Sequence, residues 1–330
     1  MNMDYKKSVF VSALLGLSML FSQAPALAAE QPASGLDAMV QAVHKMEPRN
    51  TYGVTRKWLD VAYGNQSPAQ KLDIFLPEGG EGPYPVILAI HGGGFMVGDK
   101  DSGEVNAEMT GLTRGYAVVP VNYRLSGEAL FPAAVQDVKA AVRFLKAHGA
   151  EYNLDASRIV AWGDSAGGNL AAMLGTTAGH RELEDFTIGA PDQDSSVRCV
   201  VDFFGPTDFN LMDAQFAAGS VKPAQVHNEP DSAESRYMGV PVPTIPHLVR
   251  FANPESYISK DTVPFFLMNG SEDQIVPTQQ SVDFAAKLKQ AIREENVIYV
   301  QLKGARHGGP QFTAKENLDK VFAFLADHLK

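Results

Sequence analysis

Gly163-Asp164-Ser165-Ala166-Gly167 sets a serine among small residues, directly after the apolar run 159–162 and before a helical stretch. A serine held at such a strand-to-helix turn can act as a nucleophile in acyl transfer, provided its neighbours lack bulk. Gly163, Gly167 and Gly168 meet that steric demand. A second cluster, His91-Gly92-Gly93-Gly94, follows the apolar run 86–90. Consecutive glycines let main-chain N–H groups turn toward a developing oxyanion. The expected donors are Gly93, Gly94 and Ala166, with Gly92 setting the turn. His91 precedes the nucleophile in the chain and reads as a brace for the loop rather than as a base.

The serine also needs a base and a carboxylate that orients it, in the chain order serine, acid, histidine. Of the eight histidines, His307 lies in Gly304-Ala305-Arg306-His307-Gly308-Gly309, just past the run 297–302, so it projects from the carboxyl edge of a sheet, where α/β sites form. His180, His227, His247 and His328 read as surface or cap side chains. Asp273, in Asn269-Gly270-Ser271-Glu272-Asp273 after the run 265–268, is the preferred acid; Asp208, after Gly205-Pro206-Thr207, competes. A carboxylate at 273 would accept the Nδ1–H of His307 and fix its tautomer. His91, Tyr123 and Glu128 are candidate contacts to substrate. This chemistry calls for no metal or organic cofactor, and the single cysteine, Cys199, supplies no thiolate set.

Positioning these groups requires strands that end together. The runs 86–90, 117–121, 159–162, 199–204, 265–268 and 297–302 are short, apolar and rich in β-branched residues, as strands buried on both faces of a parallel sheet are. Helical stretches at 133–148, 166–177, 279–292 and 313–329 alternate with them; in the first, Val135, Val138, Val142 and Leu145 share a face behind Pro132. The pattern predicts an α/β fold with a mostly parallel, doubly wound sheet. Segments 58–62 and 71–76, joined through Gly64-Asn65, predict an antiparallel N-terminal hairpin. Pro206, Pro223, Pro230, Pro241, Pro243, Pro246 and Pro254 crowd an aperiodic stretch, which predicts a cap insertion at about 205–260. Its Phe209, Met212, Phe216, Met238 and Phe251 would pack the cap or line a pocket.

At the amino end, Lys6 and Lys7 precede an apolar run at 9–21 and then Ala26-Leu27-Ala28. This layout predicts a secretory signal peptide over 1–28, hence an exported periplasmic or extracellular protein with no membrane span in its mature form. Residues 29–50 read as an arm, and 51–330 as one catalytic domain. The chain has 330 residues, 45% of them hydrophobic, and a formal net charge of −10. A pI near 5.3 without a basic run excludes a nucleic-acid footprint.

With the serine, acid, histidine and glycine loop in view, the chain resembles α/β-hydrolase fold serine esterases of the hormone-sensitive-lipase-like group, closest to the bacterial feruloyl and acetylxylan esterase branch. The likeness runs from about residue 57 to 328 and includes His91 to Phe95 with Gly98-Asp99-Lys100, Asn122 to Glu128, Phe131-Pro132-Ala133, Trp162 to Gly168, Ser235-Arg236 and His307-Gly308-Gly309. Asp164 departs from the small residue common before the serine in that branch and matches the wider group. The resemblance implies a serine carboxylesterase acting on acetyl or hydroxycinnamoyl esters of plant cell-wall polysaccharide, its substrate a small ester or an acylated oligosaccharide or polysaccharide. The alternatives are a general short-chain carboxylesterase, a serine peptidase of the prolyl-oligopeptidase type, and a non-catalytic binding module.

Overall fold

The apolar runs form one eight-stranded sheet in the order β1-β2-β4-β3-β5-β6-β7-β8. The strands are β1 (Lys57–Ala62), β2 (Lys71–Phe75), β3 (Tyr84–Ile90), β4 (Ala117–Val121), β5 (Leu154–Asp164), β6 (Cys199–Phe203), β7 (Phe265–Gly270) and β8 (Val297–Leu302). Every pairing from β4 across to β8 is parallel. The opening hairpin β1–β2 is antiparallel, and β2 also pairs antiparallel with β4. This computed structural model describes residues 47–330; the expected leader and most of the 29–50 arm lie outside the described residues. The end of that arm packs on the domain, with Arg49 paired to the buried Asp73 at 2.7 Å and Pro48 bridged to Ser102.

Helices cover both faces, which is why the central strands are apolar throughout rather than alternating. Val86, Leu88 and Ile90 of β3 enter one apolar layer, and Ile87 and Ala89 enter the other. The helices α1 (Asn106–Met109), α2 (Ala133–His148), α3 (Ala166–Thr176), α4 (Met212–Ala218), α5 (Ala233–Met238), α6 (Pro246–Val249), α7 (Gln279–Ile292) and α8 (Lys315–His328) follow in chain order. Of these, α2, α3 and α7 pack into the first layer, and α1 and α8 into the second. On α2, Val135, Val138, Val142 and Leu145 are fully buried, and each such side chain stabilises the fold by about 1.5–3 kcal/mol. Polar ties fix α2 further. Asp137 accepts a forked pair from Arg124 and a bond from Gln70 of the hairpin loop.

The strand β5 begins at Leu154, earlier than the apolar run at 159, because the first residues hold their edge through a local turn. Asp155 accepts the Ser157 amide and the Arg158 guanidinium, and the β3–β5 register shifts at Pro85/Val86. The cap insertion between β6 and β7 carries α4, α5 and α6. Phe209 and Met212 join the first apolar layer and Phe216 is buried, while Met238 packs on that layer and Phe251 stays 48% exposed. Phe209, Met212 and Met238 therefore build the cap, while Phe216 also lines a cavity of about 410 Å³ that Asp273 borders. Parallel strands around β3 and β5, flanking helices, an antiparallel hairpin and a cap before β7 make up the expected α/β-hydrolase architecture.

Candidate active site

Register brings the two glycine-rich segments together, since Ile90 on β3 pairs with Gly163 on β5 and Asp164 pairs with Phe203 on β6. The loop at 91–94 and the turn at Ser165 thus leave the sheet side by side. Ser165 adopts φ 55° and ψ −118°, a conformation that costs a non-glycine residue on the order of 1–3 kcal/mol and is held by its surroundings. The Ser165 amide donates to the Phe203 carbonyl at 2.8 Å. Around it the chain is too close for side chains: a Cβ on Gly167 would lie 1.9 Å from the Ile90 carbonyl oxygen, and one on Gly163 would lie 2.2 Å from the Gly167 carbonyl oxygen. The motif's glycines are therefore packing requirements of the elbow.

The loops after β7 and β8 clasp one another. Ser271 donates its amide to Leu302, Glu272 donates to Ala305, and the Ser271 hydroxyl accepts the Gly304 amide. Gly270 permits this approach, because a Cβ there would lie 2.3 Å from the Ala305 carbonyl oxygen. The clasp aims His307 at the serine: Nε2 lies 2.8 Å from Ser165 Oγ, and Nδ1 lies 2.7 Å from Asp273 Oδ2. The other Asp273 oxygen accepts the Ile275 and Val276 amides at 2.8 and 2.9 Å. With Nδ1–H donated to that buried carboxylate, Nε2 is left as the acceptor for the serine proton. Asp208, the competing acid, instead accepts from Asn253 Nδ2 at 2.7 Å and caps its own turn. Phe204, which sequence reasoning missed, backs the imidazole with its ring centre 4.6 Å away.

Gly93 and Gly94 take φ 97° and 60°, conformations that favour glycine. Among the described residues their N–H groups make no hydrogen bond, and Ala166, first residue of α3, has no intrahelical acceptor for its own. Three donors are thus free beside Ser165. Gly92 is occupied otherwise: its carbonyl accepts from the His91 ring and the Tyr123 hydroxyl. His91 and Tyr123 are buried and stack with ring centres 4.5 Å apart. Burial holds the His91 imidazole below its usual value. The expectation that these two touch substrate is corrected, because their rings lie inside the protein and brace the loop. Glu128 is exposed beside a cavity of about 570 Å³ bounded by Met96, Ser126, Gly127, Ser235, Arg236 and Pro241. The loop also docks on the cap through Phe95, which stacks on Tyr237 of α5 at 3.9 Å.

Four carboxyl groups crowd behind the elbow, on Glu104, Glu108, Asp164 and Asp202. Burial raises Glu104 to about 7, Glu108 to about 8 and Asp202 to about 7, and Asp164 is driven up by burial and by the other three. Only Asp164 stood within a recognisable motif; the other three carry no local signal. Among the described residues no group of three or more His, Cys, Asp or Glu side chains is arranged to hold a metal ion.

Comparison with known proteins places this site in context. The family described as BD-FAE matches residues 72–288. The chain is 32% identical over 254 residues to a protein of Mycobacterium tuberculosis named probable carboxylic ester hydrolase LipM, covering 75% of this chain and 55% of that protein. It thus spans a little over half the length of that relative. Among solved structures, a truncated carbohydrate esterase from gut microbiota superposes with TM-score 0.74 at 27% identity, covering 86% of this chain and 99% of its own. A bifunctional GH43-CE protein of Bacteroides eggerthii superposes with TM-score 0.75 at 31% identity, covering 83% of this chain and 38% of its own.

Proposed function

Because the chain belongs to the BD-FAE family, we propose that it is a serine carboxylic ester hydrolase whose triad is Ser165, His307 and Asp273. The observation that carries this reading is the continuous relay from Ser165 Oγ to His307 at 2.8 Å and on to Asp273 at 2.7 Å. His307 Nε2 takes the serine proton as Oγ attacks the ester carbonyl. The oxygen gains charge in front of the Gly93, Gly94 and Ala166 amides, while Asp273 stabilises the imidazolium. Collapse breaks the bond to the alkoxide, which leaves with the proton from His307. Water then gives a proton to His307 and attacks the acyl-enzyme; the acid departs and the serine recovers its proton.

The finer reading is an acyl ester of a cell-wall carbohydrate, acetyl or feruloyl, exported by a leader over residues 1–28. Support comes from the carbohydrate esterase named above and from the charge and apolar layout of the first residues. Ser165→Ala should abolish p-nitrophenyl acetate turnover by several orders of magnitude, leaving about 10³–10⁴ over water. A fluorophosphonate should label wild-type Ser165 and not the variant. Near-wild-type turnover of the variant ends the triad assignment. Methyl ferulate, acetylated xylan and nitrophenyl esters assayed side by side decide between a carbohydrate esterase and a general short-chain one. A peptide assay tests the peptidase alternative. Amino-terminal sequencing of protein secreted by a bacterial host should begin at Ala29; retention of Met1 rejects the leader.

A further inference from the structure

A phenylalanine stands where the turn of the oxyanion loop asks for glycine. Met96 donates its amide to the Gly93 carbonyl at 3.0 Å and Val97 donates to the same oxygen at 3.1 Å, so Gly94 and Phe95 are the central pair of a tight turn. Their φ values are 60° and 61°. Two positive angles in succession follow the type I′ pattern, whose central positions favour glycine, asparagine and aspartate. A bulky side chain is costly there and persists only where its surroundings hold it. Those surroundings come from outside the loop. The Phe95 carbonyl accepts the Ser126 amide at 2.7 Å. The Phe95 ring is buried and lies flat on Tyr237 of the cap helix α5, with centres 3.9 Å apart and planes 7° from parallel. Phe209, ahead of α4, meets both rings edge-on at 6.0 and 6.4 Å, and Phe131 meets Tyr237 at 5.7 Å. Tyr237 is anchored in turn, since its carbonyl accepts the Phe131 amide at 3.0 Å. Its hydroxyl is sealed from solvent with no hydrogen-bond partner among the described residues, so the ring does the holding.

We propose that Tyr237 is a positioning residue for ester hydrolysis: through its stack on Phe95 the cap holds the turn at 93–96 in its strained form, and so keeps the Gly93 and Gly94 amides facing Ser165. The inference rests on the esterase reading above. The loop has little slack, because a Cβ on Gly93 would lie 2.1 Å from the Val97 carbonyl oxygen and one on Gly98 would lie 2.3 Å from His91 Nδ1. A Phe95 backbone that relaxes to negative φ therefore re-aims the neighbouring peptides. Oxyanion donors act only when aimed at the place where charge develops, and a misplacement of about 1 Å can cost about 10²-fold. The cap thus frames the oxyanion hole through one aromatic joint.

The test measures p-nitrophenyl acetate kinetics per fluorophosphonate-labelled serine, and inhibition by an aryl trifluoromethyl ketone, whose hemiketal oxygen takes the oxyanion's place. Tyr237→Leu should lower kcat by about 10- to 100-fold with KM within about threefold. Ketone inhibition should weaken by the same factor, because both report transition-state binding. Phe95→Leu should behave likewise, and the double variant should lose no more than either single one, since the two rings act as a unit. Tyr237→Phe restores the ring and should bring kcat and ketone inhibition back to within about threefold of wild type. Losses that multiply in the double variant overturn the coupling, as does a loss confined to KM. A folded Tyr237→Leu with kcat within about twofold of wild type also overturns it. If Tyr237→Leu fails to fold, unchanged kcat and ketone inhibition in Phe95→Leu overturn it instead. Equal losses in Tyr237→Phe and Tyr237→Leu would assign the effect to the hydroxyl and end the ring's role. A wild type that neither hydrolyses the ester nor takes the fluorophosphonate refutes the esterase reading itself, whereas variants that match an active wild type refute only the positioning role.

Discussion

Asp273 shows most directly how one side chain sets the chemistry of another. Its two oxygens are fully used, one by the Ile275 and Val276 amides and one by His307. Asp273→Asn keeps the shape but presents an amide N–H toward Nδ1, which favours the imidazole tautomer that cannot accept from serine. The expected loss in kcat is about 10⁴ with KM little changed, measured on a nitrophenyl ester; a loss under tenfold would mean that the carboxylate only fills space. The residue types and their order along the chain were readable beforehand, because acyl transfer demands a nucleophile, a base and an orienting acid. Phe204 was not, because its part is defined by neighbours distant in sequence.

Elements act by bringing backbones closer than side chains allow. The start of α3 presses on the end of β3, and Gly167→Ala would drive a Cβ into the Ile90 carbonyl. Overpacking of this kind costs about 1–3 kcal/mol, so thermal unfolding should shift down by several degrees and turnover should fall with the displaced serine; an unchanged melting temperature would contradict the contact. On the opposite flank, α2 anchors the connector before β6 through Glu184, which binds both Lys139 and Arg143, two fully buried cations. Glu184→Gln leaves those cations without an anion and should destabilise by about 3–5 kcal/mol, read as a drop in the urea midpoint at unaltered slope. A midpoint within experimental error of wild type would show that the cations find other partners. Both helices were visible as periodic apolar stretches, and their polar anchors were not, since a charged residue on a helix is ordinarily a solvated one.

At the scale of the molecule, a buried charged pair braces the cap where it meets the acid loop. Buried His227 lies 3.0 Å from Glu234 of α5, an ion pair without hydrogen-bond alignment, and Ala224 donates its amide to Gln274. Burial alone would lower the His227 value, but Glu234, Asp213 and the Ile275 carbonyl outweigh it and hold the ring above its usual range. A raised native value means stability that is fully present below the unfolded value, near 6.5, and lost as pH rises through the native one. Replacement by His227→Gln should therefore cost more stability at pH 5.5 than at pH 9. Equal costs in urea unfolding at the two pH values would show that the ring is not charged in the fold. The sequence placed this histidine in the cap, while its burial and its partner came from the way the proline-rich insertion folds back.

The sequence alone determined the strand runs, the nucleophile elbow and the histidine placed to serve it, since each is signalled by a local pattern: apolar strand runs, glycines without bulk, and a polar residue at a strand end. The tertiary structure decided which acid reaches His307, that His91 and Tyr123 lie beneath the loop, and that four carboxyl groups gather behind the serine. The physical reason is range. Steric and periodic demands act over a few residues, whereas burial and charge depend on what the whole fold brings near.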